Sequence, residues 1–448
     1  MRTVNDITDD LKKLEEDQRA LEKELNEVLL SKECCDARTE VPMMGNIGEW
    51  SEIYVFYRIM ESGKLKPAAI DENGMLKEVK DAFLPVLKIL REDEGFPIEY
   101  YTANDFNGIK ALKIYYGNRK EPLLSCSVDE FSAKAKDLLD IIKTPKDEKQ
   151  AKGAIPSKTK KGKDTWASFG IPKHKAFLND ILITKLKSPS TKINDVFGGI
   201  TDITMEILQN DNMRVPVGFS IKSSLGSPSA LFNYSQGSNA VYKLSGCTEE
   251  IYDKIIAINK TSSNQFAIDR IRYILHDTDI KVEFAGFGGD IFTHNLRLIA
   301  DREPEVVAYS LLYSLDYPLS DKRSNRRLMD VLKSLEQYDP LNIGFEKEKY
   351  YKKRLKEFLF AKAGGMDVAT LWDGNTNISG GYIFVTKKGD VLAFYASDQN
   401  MYKDWLLMST KFDTPDSSDD RSKGFAEVFK QGNDYYLNLN VLIKFVES

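Results

Sequence analysis

Asp202 and Lys222 are the residues whose types and spacing first suggest chemistry. Residues 200–208 (Ile-Thr-Asp-Ile-Thr-Met-Glu-Ile-Leu) alternate and are rich in β-branched types, so they read as a strand. Residues 215–222 (Val-Pro-Val-Gly-Phe-Ser-Ile-Lys) read as the returning strand, across a polar turn containing Asn210, Asp211 and Asn212. A turn centred near 211–212 pairs residues whose numbers sum to about 423, because side chains alternate along each arm. Asp202 then lies opposite residues 220–222, with Ser220 and Lys222 on one face. A carboxylate beside a lysine suits metal-dependent phosphodiester hydrolysis. The carboxylate offers hard oxygen to Mg²⁺. The ion polarises the phosphate and acidifies water, and the ammonium group steadies developing negative charge. The same two residues also make an ordinary cross-strand ion pair, and their spacing alone does not separate the two readings. Glu206 shares the parity of Asp202 but lies ~13 Å along the strand at ~3.3 Å per residue.

Longer blocks carry more information. Thr201-Asp202 followed by Ser220-Ile221-Lys222 resembles a variant of the PD-(D/E)XK nuclease motif. Residues 218–227 (Gly-Phe-Ser-Ile-Lys-Ser-Ser-Leu-Gly-Ser), then Leu231-Phe232-Asn233-Tyr234-Ser235 and Ser238-Asn239, resemble the HpaII-type restriction endonucleases. The opening Gly48-Glu49-Trp50-Ser51-Glu52 is similar to the start of that family. The closing Thr410-Lys411-Phe412-Asp413-Thr414-Pro415 is similar to its end, as are Leu437-Asn438-Leu439-Asn440 and Ile443-Lys444-Phe445. These blocks, in order, span the chain from near residue 45 to its end.

The resemblance implies an α/β (α+β) fold with a PD-(D/E)XK restriction-endonuclease-like core, a central mixed β-sheet flanked by helices. It implies a Type II restriction endonuclease that cuts double-stranded DNA at a short site. Mg²⁺ is the implied cofactor, with Mn²⁺ as a substitute and no nucleotide. A palindromic site would call for a homodimer, since symmetric half-sites need symmetric readers. The family namesake reads CCGG, but specificity lies in loops where this chain differs most.

Two positions depart from the motif. Thr201 stands in place of its proline, and Ser220 in place of Asp or Glu. Serine is a poor metal ligand, so the resemblance implies an acid from another element. Glu49 is the first candidate and Glu52 the second; both acids equally suit a solvated helix face. The expected metal ligands are thus Asp202, Glu49 and Glu52, with Lys222 and Ser220 completing the catalytic group. The missing acid leaves two other readings open. One is a repair or conflict-system nuclease without strict sequence choice, and the other a silent DNA-binding protein.

Two polar stretches suit DNA contact. Asn233, Ser235, Gln236, Ser238 and Asn239 follow Ser223 and the lysine. Asn and Gln can bond adenine, and Ser can reach phosphate, though the same types cap helices and form turns. Thr414, Ser417, Ser418, Arg421 and Lys423 lie on a later loop where Arg421 could read guanine. The acids Asp416, Asp419 and Asp420 temper that loop. Arg323, Arg326, Arg327 and the lysines of 349–356 form two further basic faces.

The elements that must position these residues follow from periodicity. Ile7, Leu11, Leu14, Gln18, Leu21, Leu25 and Val28 alternate at spacings of four and three, a heptad seam. It serves as a dimerising coiled coil or as a helix packed on its own chain. Helices are expected over 47–61, 83–91, 129–143, 249–258, 264–274, 304–315, 324–338 and 346–362, and a strand over 109–116. The last ~70 residues read as strands and turns. Between 143 and 163, eight lysines face two acids, which suggests an exposed basic linker able to touch phosphates. The expected division is a helix at 1–33, a first nuclease part at 45–143, a linker at 144–164, and a core at 165–448 ending in a β-rich recognition segment.

Composition narrows the classes. The chain has 448 residues, 42% of them hydrophobic, enough for a sizeable core. A net charge of −5 excludes a uniformly basic coat but not a basic groove. Three histidines (His174, His276, His294) disfavour histidine-based catalysis. Cys34, Cys35, Cys126 and Cys247 make no C-x-x-C. Residues 285–290 are glycine-rich but match neither phosphate-loop nor dinucleotide fingerprints. With no apolar run of membrane length and no leader signature, a soluble, cytoplasmic protein without a membrane partner is expected.

Overall fold

The computed structural model describes residues 43–72, 74–93, 96–102, 111–117, 121–187, 201–208, 214–226, 229–258, 266–317, 326–375, 380–395, 399–414 and 425–446. The heptad seam and the turn near 211 lie outside these. A short strand β1 (Met44–Gly45) leads into helix α1 (Ile47–Ser62). Asn46 caps α1 by accepting from the Glu49 amide, and Glu49 returns the bond to the Asn46 amide. This reciprocal box satisfies two otherwise orphaned donors. Gly63 ends the helix in the left-handed conformation, φ 62°, which costs glycine little. Trp50, Ile53, Tyr57 and Met60 are buried, and so are Tyr54, Val55 and Phe56. The helix is therefore enclosed around most of its circumference.

Strands β2 (Lys64–Ile70), β3 (Leu76–Glu78), β4 (Leu84–Asp93), β5 (Phe96–Tyr101), β6 (Ala111–Tyr116) and β7 (Leu124–Ser127) follow, then helix α2 (Val128–Lys143). The helix expected over 83–91 is strand β4. Val86 and Ile89 are fully buried, and β4 is paired on both edges. Its apolar run is that of a strand enclosed on two faces, a pattern that helix periodicity mimics over so short a span.

The lysine-rich stretch is also structured. It contains β8 (Ile155–Lys158), which pairs with β9 (Asp164–Gly170), and β9 pairs in turn with β1. Lys149 is buried, donating to Ile142 O at 3.0 Å beneath the Phe169 ring. Strand pairing orders part of the stretch, and Lys149 lays its stem on apolar surface while its head finds an acceptor, although the other lysines there stay exposed.

After α3 (Pro172–Asp180) come β10 (Ile203–Leu208) and β11 (Arg214–Ser223), then β12 (Ala230–Phe232) and β13 (Asn239–Ser245). Helices α4 (Glu249–Ile258) and α5 (Phe266–His276) precede β14 (Lys281–Phe287). An unexpected helix α6 (Asp290–Ile299) then precedes the three expected helices α7 (Glu303–Ser314), α8 (Leu328–Tyr338) and α9 (Lys347–Ala363). The chain closes with β15 (Gly381–Val385), β16 (Val391–Tyr395), α10 (Gln399–Ser409), β17 (Thr410–Phe412), β18 (Glu427–Gln431), β19 (Asp434–Asn440) and β20 (Ile443–Phe445). Helix α10 was not expected in that strand-rich end. Its Trp405 packs on Phe394 and Phe445, an anchor that no local pattern announces.

The central sheet has ten strands in the order β3-β2-β16-β15-β11-β10-β4-β5-β6-β7. It is mixed: β11 runs parallel to β15 and β16 to β2, while the other pairs are antiparallel. Alternation along β15 divides two cores. Ile383 and Val385 face the core of α1, α2 and α3, whereas Tyr382 and Phe384 face the core of α7 to α10. The expected mixed α/β architecture, a central sheet flanked by helices, is thus present. No helix among the described residues is long and apolar enough to cross a membrane.

Candidate active site

Strands β10 and β11 pair in the register Ile203↔Phe219 to Leu208↔Arg214. The numbers sum to 422, one less than the sequence estimate, and the ladder extends as the Asp202 amide donates to Phe219 O at 2.9 Å. Asp202 therefore lies across from Ser220. The Ser220 hydroxyl donates to Asp202 Oδ2 at 2.9 Å, and the Ile221 amide donates to the same oxygen at 2.6 Å. Among the described residues no hydrogen bond reaches Oδ1, and no ion pair joins Asp202 to Lys222. The plain ion-pair reading of the hairpin is accordingly not what the side chains form.

Gly218 makes this geometry possible. A Cβ on Gly218 would lie 2.1 Å from the Thr201 methyl, so only glycine lets the residue before Asp202 pack this closely.

Helix α1 supplies the acids. Glu49 is occupied as the capping residue of its own helix, and its Oε1 lies 3.7 Å from Lys187 Nζ. Glu52, one turn later, lines a cleft of about 430 Å³ together with Ile221, Lys222 and Ser223. Burial pushes its carboxyl up to about 8, the Asp202 and Glu49 charges add to the rise, and Lys187 and Arg91 oppose it. The Glu52 carboxyl thus feels the Asp202 charge from within a cleft that Lys222 also lines. No group of three His, Cys, Asp or Glu among the described residues is gathered tightly enough to hold a metal by itself.

Ser51 ties α1 to this hairpin: its hydroxyl donates to Ile47 O at 2.6 Å and accepts from the Ser223 hydroxyl at 2.9 Å. Ser223 also accepts from the Leu225 amide, so it serves the cleft wall. Glu206, at the far end of β10, pairs with Lys88 at 3.5 Å and Arg214 at 3.7 Å, away from the cleft.

The polar stretch after β11 divides. Asn233 and Gln236 are exposed. Ser235 is half-buried, and its backbone amide donates to Ser238 Oγ at 3.0 Å. Ser238 is fully buried, and Asn239 accepts from the buried Asn440 side chain. Thr414 is half-buried beside Asp413, which pairs with Lys444 at 2.8 Å. Ser417, Ser418, Arg421 and Lys423 lie outside the described residues, as does Arg323. Arg326 is taken up internally, donating to Asp316 O, Tyr313 O and Ser334 Oγ.

Trp166 and Lys362 went unnoticed in the sequence, and Lys146 was noticed only as one lysine of the 143–163 stretch. Trp166 and Lys146 line the cleft with Glu52 and Lys222. Lys362, at the end of α9, donates to Met366 O at 2.8 Å, and its ammonium is depressed by burial and by the nearby Lys222 charge. No local signal marks them, because each reaches the site from a different element.

By its sequence relatives the chain is a Type II site-specific endonuclease. The chain belongs to the HpaII restriction endonuclease family, whose sequence model matches residues 46–445. It is 28% identical over 405 residues to the Type II restriction enzyme HpaII of Haemophilus parainfluenzae, which covers 90% of this chain and 98% of that protein. No solved structure matches the chain.

Proposed function

We propose that this chain cleaves double-stranded DNA at a short specific site in a Mg²⁺-dependent reaction, on a PD-(D/E)XK core, with Asp202, Glu52 and Lys222 as its catalytic residues. The observation that carries the reading is the convergence of Glu52 on Asp202 in the cleft that Lys222 lines. The donor set fits Mg²⁺, which keeps several waters and needs one or two carboxylates besides the substrate phosphate. Asp202, through the side away from Ser220, and Glu52 would hold it. Bound there, the ion would polarise the scissile phosphate and acidify water.

The remaining roles belong to the chain. Ser220 and the Ile221 amide fix one carboxylate oxygen, so the serine that replaces the motif acid orients Asp202. Glu52 gives up its proton once a cation offsets the neighbouring charge. Lys222 places its ammonium at the phosphate oxygens, where negative charge grows in the transition state. Asn233 and Gln236 are exposed side chains able to bond base edges. A palindromic site would recruit two copies of the chain.

Digestion of a mapped plasmid over a Mg²⁺ series tests the reading. Discrete fragments are expected from the native protein, and none from Asp202→Ala, which retains a gel-shift complex with the same DNA. Cleavage by that variant at the native rate would overturn the assignment, and a smear would favour a nuclease without sequence choice. A shifted complex with no cleavage at any Mg²⁺ concentration would indicate a silent DNA-binding protein.

A further inference from the structure

We propose that the β8–β9 hairpin is a DNA-gripping arm, with Trp166 and Lys146 holding the duplex backbone beside the scissile phosphate. The inference rests on the nuclease reading above and adds a surface that no active-site residue supplies.

Register makes the first argument. Pairing of β8 with β9 runs Ile155↔Gly170 and Pro156↔Phe169, then jumps to Ser157↔Thr165. Trp166, Ala167 and Ser168 are the surplus residues of a bulge. Bulges re-aim side chains, and here Trp166 and Ala167 both line the cleft that Glu52 and Lys222 also line. The Trp166 ring is half-exposed and rests on Phe169 at 6.2 Å between centroids. Phe169 is pinned in turn, since its carbonyl accepts from Trp50 Nε1 at 2.9 Å. A large aromatic with a rigid back and an open face on a nuclease cleft is a stacking platform for a base or sugar.

Charge makes the second. Lys146 is exposed on the turn before β8 and lines the same cleft. The arm carries Lys158, Lys160, Lys161 and Lys163 against Asp164 alone, and that acid is already paired with Lys158. Lys160, Lys161 and Lys163 are exposed around the turn in which the Lys163 carbonyl accepts from Thr159 at 2.8 Å. In a chain of net charge −5 this is a concentrated positive edge beside the cleft. A phosphate backbone is the partner such an edge selects.

The test reads tryptophan emission while sheared duplex DNA is titrated in with Ca²⁺ replacing Mg²⁺, so that binding proceeds without cleavage. Trp50 and Trp405 are buried, which leaves Trp166 and Trp372 as the accessible reporters. Quenching is expected in the native protein and in Trp372→Phe, and its loss in Trp166→Phe. Trp166→Ala should weaken affinity about tenfold, in keeping with loss of one stacked base. Lys146→Ala should lower the slope of log affinity against log salt by about 1, one phosphate contact. DNA binding with the quench intact in Trp166→Phe, or an unchanged salt slope in Lys146→Ala, would overturn the proposal. Absence of any DNA binding by the native protein would instead fell the nuclease reading on which it stands.

Discussion

The hydroxyl of Ser220 donates to Asp202 Oδ2 at 2.9 Å, across the pair of strands at the centre of a ten-stranded sheet. Where the related nuclease motif carries a second acid, this chain carries a hydrogen-bond donor that orients the first. Glu52, on helix α1, feels the Asp202 charge from another element.

Removing that donor has a defined consequence. Ser220→Ala leaves the Ile221 amide at 2.6 Å but frees the carboxylate to rotate. We expect single-turnover cleavage to slow about tenfold, the worth of one hydrogen bond to a charged group. DNA affinity should be unchanged. A native rate in that variant would show that Asp202 needs no orienting partner.

Glu49 and Glu52 separate by substitution. Glu52→Gln should slow cleavage about a hundredfold or more, since a metal-facing charge is lost, with gel-shift affinity retained. Glu49→Gln keeps the capping geometry and should cut at close to the native rate. Glu49→Ala should lower stability by about 1 kcal/mol through the lost cap. The reverse pattern in cleavage assays would restore Glu49 as the site acid.

The raised Glu52 carboxyl also makes stability depend on pH. Its folded value of about 8 lies above the ordinary 4.5, so between those values the folded protein holds more protons than the unfolded chain. In EDTA, stability should therefore fall as pH rises from about 4.5 to about 8. Glu52→Gln should flatten that slope in calorimetric scans. His174 acts in the opposite sense. Burial depresses its imidazole to about 4 from 6.5, although the hydrogen bond to Asp137 resists. Its contribution is complete above pH 6.5 and is lost as pH falls toward 4. An unchanged slope in Glu52→Gln would mean that Glu52 is ionised in the metal-free protein.

Gly218 offers a steric test. A methyl there would strike Thr201 at 2.1 Å, and Thr201 cannot yield without moving Asp202. Gly218→Ala should reduce cleavage more than it reduces melting temperature. Equal losses would indicate general disruption of the hairpin rather than displacement of the carboxylate.

Much of this site was legible in the chain itself. Alternation in 200–208 and 215–222 announced the hairpin, and a turn near its midpoint placed Asp202 within one register step of Ser220. Those signals are local: side-chain parity and turn position follow from covalent geometry. The capping of α1 by Asn46, Glu49 and Gly63 is equally short-range, although the reading of 47–61 did not use Asn46 or Glu49 in that role.

That Glu52 lines the cleft with Lys222 is visible only in the tertiary structure. Glu49 and Glu52 are one helical turn apart, and local sequence cannot say which turn meets a distant strand. Segment 83–91 became a strand because β10 and β5 enclose it, a choice made by long-range pairing over local period. The lysine-rich stretch became an arm because β1 and the α1 tryptophan hold β9 from far along the chain. Propensity and parity act over a few residues, whereas burial and charge at the cleft are sums over elements that the chain brings together only on folding.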